Sequence, residues 1–168
     1  MHPSLSVMLV LADDPLRQRL LQAISGIERV TMQRIFLDFE EMTQAVDRED
    51  AILCLADIHR LPSPAQTAQW LAAFPQLKLL ILHPLAAEAR VLAYLQAGAM
   101  GHLAFEQAEE QRVRDAVRSL INGEAYLSPT IAGRIVDVIA QRLSKSKDGK
   151  EVHDLENDYT LRKGSRHG

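Results

Sequence analysis

The stretch Leu77-Lys-Leu-Leu-Ile-Leu-His83 is a short, almost continuous apolar run, which is typical of a strand buried on both faces of a parallel sheet. Similar runs recur along the chain, separated by segments with the 3.6-residue period of helices. They cover Val7 to Leu11, Val30 to Phe36, Ala51 to Leu55 and Gly101 to Ala104. This alternation predicts an α/β fold with a doubly wound, five-stranded parallel sheet. The strand order is either the flavodoxin-like order 2-1-3-4-5, which we expect, or another doubly wound order.

Helical segments follow the strand runs, and the first begins after the capping candidates Asp13 and Asp14. The predicted helices are Pro15 to Ser25, Glu40 to Val46, Pro64 to Phe74, Ala86 to Ala97 and Ala108 to Asn122. A further apolar pattern of helical period follows Gly123 and predicts an extra C-terminal helix. Its apolar positions are Ile131, Ile135, Val138, Ile139 and Leu143. The sequence thus predicts an α/β domain over residues 1–125, a linker helix over 126–144 and a flexible tail over 145–168, where few apolar side chains occur.

Composition narrows the possible functions. The net charge is -3 at pH 7 and the sequence pI is about 6.1, so the chain has no overall positive field to hold a nucleic-acid backbone. The single cysteine, Cys54, lies inside an apolar run and is expected to pack as a small hydrophobic side chain. No window approaches the roughly 20 apolar residues that cross a membrane. A cytoplasmic location without membrane or direct nucleic-acid contact is the expectation.

Two segments are more specific than the α/β pattern. Leu95-Gln-Ala-Gly-Ala-Met-Gly-His-Leu103 resembles the L-x-A-G-A-x-G-Y-L segment of response-regulator receiver domains. Gly123-Glu-Ala-Tyr-Leu-Ser-Pro129 is similar to the G-E-x-Y-L-S-P stretch of the LuxR-type, NarL-like subfamily. The first segment is also reasonable physically, since Gly98 suits a left-handed helix end and Gly101 a close approach between strands.

The resemblance implies a domain in which a histidine kinase phosphorylates an aspartate beside magnesium, followed by a helix-turn-helix output domain. Too few residues remain here to form that output domain, so the chain alone is not expected to read DNA. The resemblance places Asp13 at the second metal-side acid and Ala12 where the first should be. The site is therefore expected to be degenerate.

The other positions of the implied site are altered too. Counting back from Leu61-Pro62 places the phosphorylated aspartate at Ile58, and counting forward from Asp50 places it at Leu55, so Asp57 fits only through a local shift. Either Asp57 is the phosphoacceptor, or it is a loop or cap carboxylate. Asp13 is likewise either a magnesium ligand or the cap of the first helix.

The switch positions of the resembled family have also changed. His83 falls where a serine or threonine hydroxyl is expected, His102 at the aromatic switch position, and Phe105 at the lysine that pairs with the phosphoryl group. Phenylalanine cannot supply that charge and is expected to pack inward. His59, His83 and His102 are expected to be polar residues at the rim of the sheet, with a shared metal site as the alternative.

Three functions are compared. The first is an atypical receiver that acts in signal transduction and transcription control through protein association, independently of phosphorylation, as a homodimer that is not an enzyme and needs no cofactor. The second is a phosphorelay receiver in which a histidine kinase phosphorylates Asp57, with Mg²⁺ held by Asp13 and Asp57. The third, a flavodoxin-like ligand-binding protein, is disfavoured because carboxylates in the turn after the first strand would repel a phosphate.

Overall fold

The computed structural model describes residues 4–146, apart from the side chain of Met32. Within this range a five-stranded sheet alternates with helices. The strands are β1 (Leu5–Val10), β2 (Val30–Phe36), β3 (Ile52–Asp57), β4 (Leu77–His83) and β5 (Gly101–Ala104). The helices are α1 (Asp14–Ile24), α2 (Phe39–Ala45), α3 (Pro64–Ala73), α4 (Glu88–Gln96), α5 (Glu110–Ile121) and α6 (Pro129–Ser146), with 3-10 turns at Ile58–Arg60, Leu85–Ala87 and Phe105–Gln107.

All adjacent strands pair in parallel, in the order β2-β1-β3-β4-β5. This confirms the predicted fold class and strand order, and it places the carboxyl ends of all five strands along one edge of the sheet. Three predicted strands, β2, β4 and β5, have the observed bounds. β3 differs, because it runs two residues past the predicted end at Leu55 and includes Asp57 as its last residue.

Each face of the sheet has its own apolar core. Leu9, Leu55 and Leu82 pack with α1 and α5 on one face, whereas Met8, Cys54 and Ile81 pack with α2, α3 and α4 on the other. Because successive side chains of a strand point to opposite faces, burial on both faces requires the continuous apolar runs seen in the sequence. Cys54 is fully buried as predicted, and burial raises the pKa of its thiol.

Local sequence signals explain where the helices begin. The Asp13 carboxylate accepts the Leu16 N–H at 2.8 Å and caps α1, and Ser63 caps α3 ahead of Pro64. α4 and α5 begin two residues later than predicted, at Glu88 and Glu110, because 3-10 turns occupy the chain ahead of each.

The chain divides into two compact units after Ser128, and α6 belongs to the second. α6 includes Ser146, the last described residue, so Lys145 is helical and the predicted tail starts too early; the rest of the expected tail lies outside the described residues. None of the described helices is both long and apolar enough to cross a membrane.

Two glycines have the roles expected of them. Gly98 has a φ of 121°, in the left-handed region that favours glycine. At Gly101 an added Cβ would lie 2.9 Å from the Tyr126 carbonyl oxygen, because residues 124–128 run beside β5 and Tyr126 forms a parallel bridge with Gly101. Gly101 is therefore approached closely by residues 124–128 as well as by the neighbouring strand β4.

We expect Gly101→Ala to lower the free energy of unfolding by about 1 to 3 kcal/mol, since a backbone atom and two packed leucines would have to move. Urea unfolding followed by circular dichroism measures the change. Gly26→Ala is the control, because its Cβ would meet only the end of the Arg114 side chain at 3.8 Å. Equal stability of the two variants would contradict the expectation.

Candidate functional site

The predicted site residues lie along the carboxyl edge of the sheet. Asp57 ends β3, with its side chain 16% exposed. Its carboxylate accepts the backbone N–H of His59 at 2.9 Å and lies 2.9 Å from the ring Nδ1 of the same residue. Asp57 therefore acts as the N-cap of the 3-10 turn that follows it. Asp13 has the corresponding capping role at α1, while the neighbouring Ala12 is exposed and has no side-chain ligand atom.

His83 and His102 form a buried pair at the ends of β4 and β5. Register explains the pairing, because His102 lies beside Ile81 in the sheet and therefore points to the same face as His83. The two side chains are 0% and 3% exposed, and their rings stack with centroids 5.1 Å apart. The expectation that these histidines are rim residues is therefore wrong.

The hydrogen bonds of this pair fix the tautomer of both rings. The Ser128 N–H donates to His102 Nε2 at 3.0 Å, so the proton of the neutral ring must be on Nδ1. That Nδ1 lies 2.9 Å from His83 Nε2 and donates to it, and His83 Nδ1 then donates to the Pro84 carbonyl at 2.8 Å. The Ser128 N–H can only donate and the Pro84 carbonyl can only accept, so the two ends of the chain require the same proton positions.

Adding a proton to either ring would disrupt this chain. A proton on His102 Nε2 would face the Ser128 N–H, and a proton on His83 Nε2 would face the His102 Nδ1–H. Burial, and secondarily the neighbouring His83, lowers the pKa of His102 to about 4. The two rings are consequently neutral, and their hydrogen bonds connect the ends of β4 and β5 to Ser128, the residue before α6.

Phe105 and Glu106 follow β5 and point to different surroundings. Phe105 is partly buried against the apolar core on the face covered by α1 and α5. This agrees with the expectation that it packs inward. The Glu106 carboxylate accepts the Leu85 N–H with both oxygens at 3.1 Å and so joins the turns after β4 and β5. Sequence reasoning missed Glu106, which stands in no recognisable local motif, and it missed the role of Ser128, although Ser128 belongs to the G-E-x-Y-L-S-P stretch.

No family model and no curated protein matches the sequence. Solved structures do match. The isolated REC domain of RcsB from Salmonella enterica serovar Typhimurium has 16% identity and a TM-score of 0.65, over 79% of this chain and 98% of that one. A LuxR-family two-component response regulator from Aurantimonas sp. SI85-9A1 has 17% identity and a TM-score of 0.65, over 80% and 97%. The fold is that of a response-regulator receiver domain.

A more similar sequence covers more of the chain. The response regulator ChrA of a heme-sensing two-component system has 26% identity and a TM-score of 0.57, over 97% of this chain and 77% of that one. These matches confirm the receiver fold that was expected from the alternating strands and helices and from the segments Leu95 to Leu103 and Gly123 to Pro129. They leave the subfamily and the state of the phosphorylation site as predictions.

The magnesium site implied by the resemblance to receiver domains can be tested against the side chains present. Magnesium favours an octahedral set of oxygen ligands. Ala12 supplies none, and one oxygen each of Asp13 and Asp57 already accepts a capping N–H. Within residues 4–146, no three side chains of His, Cys, Asp or Glu are grouped so that they could hold a metal ion. The residues present therefore fit magnesium poorly, and the alternative of a metal site shared by His59, His83 and His102 is not found in this range.

Proposed function

We propose that the chain is an atypical response-regulator receiver domain that signals through protein association, without depending on phosphorylation of Asp57. The buried His83–His102 pair is the observation that carries this proposal. In the resembled family these two positions hold a hydroxyl that meets the phosphoryl group and an aromatic ring that responds to it. Here the two rings are hydrogen-bonded to each other, His102 also accepts the Ser128 N–H, and His83 donates to the Pro84 carbonyl, so neither has a free donor for a phosphoryl oxygen.

The remaining positions support the same proposal. A phosphoryl group on Asp57 would need cations to offset its charge. The metal-side acid is replaced by Ala12 and the lysine by Phe105, which packs into the core. The proposed output is contact with protein partners within signal transduction and transcription control, with no enzymatic activity or cofactor of its own. A homodimer remains a prediction of the sequence.

Beryllofluoride with magnesium mimics a phosphorylated aspartate and provides the test. Losing one charged partner typically costs about 1.5 to 3 kcal/mol, so binding should be at least about tenfold weaker than in an ordinary receiver. Amide NMR shifts near Asp13, Asp57 and His83 report occupancy. We expect no saturable response in the unmodified chain and a stronger response in Phe105→Lys.

Phe105→Met is the matched control, because it also replaces the aromatic ring but adds no charge. A response in both Phe105 variants would attribute the effect to lost packing. Saturable, magnesium-dependent shifts in the unmodified chain, at the affinity of an ordinary receiver, would overturn the proposal and support the phosphorelay, with Asp57 as acceptor and a histidine kinase as donor.

A further inference from the structure

A cavity of about 370 Å³ lies at the amino edge of the sheet, opposite the edge that holds Asp57. The turn between α1 and β2, residues 26–29, forms one wall. The last turn of α5 and the residue after it form the other, through Arg118, Ile121 and Asn122. The volume is within the range of small-ligand sites.

Positive charge is concentrated at this cavity. Arg29 and Arg118 line it. Lys78, at the start of β4, lies behind the α5 wall and donates to the carbonyl oxygens of Leu120 and Ile121 at 2.8 and 3.3 Å. Burial lowers the pKa of Lys78, and the positive charge of Arg29 lowers it further. Lys78 and Arg29 are therefore close enough to disfavour each other's charge.

These cations lack a matching negative charge. Among residues 4–146, none of Arg29, Lys78 and Arg118 forms an ion pair with a carboxylate. The Arg29 Nε is buried and has no hydrogen-bond partner there. Glu28 is the carboxylate on the cavity wall, and it is exposed. The cavity wall thus carries two cations and one carboxylate, and Lys78 behind the wall adds a third cation. An unpaired, partly buried cation is costly.

We propose that this cavity binds a small multivalent oxyanion of the phosphate type, held by the guanidinium groups of Arg29 and Arg118 with the Asn122 side chain as a further hydrogen-bonding group. Guanidinium groups match phosphate oxygens in pairs, and a ligand with more than one charge offsets more than one cation. Because the cavity is at the other edge of the sheet, this binding is independent of phosphorylation at Asp57. It gives the domain a separate ligand input.

Pyrophosphate is the probe, added to the full chain in 150 mM sodium chloride and followed by amide NMR and isothermal calorimetry. We expect saturable shifts at residues 26–29 and at Asn122, without shifts at Asp57. Arg29→Gln and Arg118→Gln should each weaken binding about tenfold, as expected for a charge-assisted contact. Arg112→Gln is the control, because Arg112 is exposed on the same helix and does not line the cavity.

Lys78 supplies a second readout. A bound anion stabilises the protonated amine, so the pKa of Lys78 should rise when pyrophosphate is added and should rise less in Arg118→Gln. Arg118 is exposed, so this variant is expected to fold even if Arg29→Gln does not. Shifts that track ionic strength alone, equal effects of sodium chloride and pyrophosphate, or unchanged binding in both cavity variants would each overturn the proposal.

Discussion

Acidification from pH 6.5 to pH 4 should lower the free energy of unfolding by about 3 kcal/mol through His102 alone. The pKa of His102 is lowered from 6.5 to about 4 in the folded chain. Between these values the unfolded chain binds a proton that the folded chain excludes, so acid favours unfolding. The loss begins as the pH falls below 6.5 and is complete below about pH 4. One pKa unit corresponds to about 1.4 kcal/mol.

Carboxylates also titrate near the lower end of this window, so the measurement compares variants. Urea unfolding at several pH values from 4.5 to 7.5 should give a shallower slope for His102→Gln than for the unmodified chain, although the variant is less stable at every pH. His59→Gln is the control, because the His59 side chain is 52% exposed. The same slope in His102→Gln and the unmodified chain would refute the assignment of a buried neutral pair.

Replacing Leu55 by alanine should lower the free energy of unfolding by about 2 to 5 kcal/mol. Leu55 is fully buried on β3, between Leu9 of β1 and Leu80 of β4 in the register. Truncation therefore leaves a cavity where three strands meet and where rigid neighbours cannot close it. Chemical denaturation measures the change.

Leu37→Ala removes the same atoms from a side chain that is 54% exposed, and it should change stability by less than about 0.5 kcal/mol. Because the same atoms are removed at both positions, the difference between the two variants mainly reports the burial of Leu55. Similar losses at Leu37 and Leu55 would show that the central strand is not packed as described.

The local pattern of the sequence was enough to predict the sheet. Short runs rich in apolar residues predicted the bounds of β2, β4 and β5, and Asp13 together with Pro15 predicted the start of α1 within a residue. Gly98 was recognisable because a positive φ is a property of one residue and its neighbours. Such signals lie within a few positions along the chain, so they do not require knowledge of packing.

The site was less accessible to sequence reasoning. Counting from two anchors gave Leu55 or Ile58 for the aspartate position, whereas β3 ends at Asp57. The alternative in which Asp57 and Asp13 are caps corresponds to the hydrogen bonds observed, because both cap their own following turn. A capping role depends on local geometry, so it could be predicted for Asp13 and Asp57. The sequence did not decide between that role and a role in a phosphorylation site.

The sequence by itself determined the α/β class and the differences from the resembled family at Ala12, His83, His102 and Phe105, whereas the structure decided among the doubly wound strand orders in favour of the expected one. Only the tertiary structure decided that His83 and His102 form one neutral, hydrogen-bonded pair. That pair depends on the register between β4 and β5 and on Ser128, which lies 26 residues away from His102. Register and long-range approach follow from how both faces of the sheet pack at once, and no short stretch of sequence encodes them.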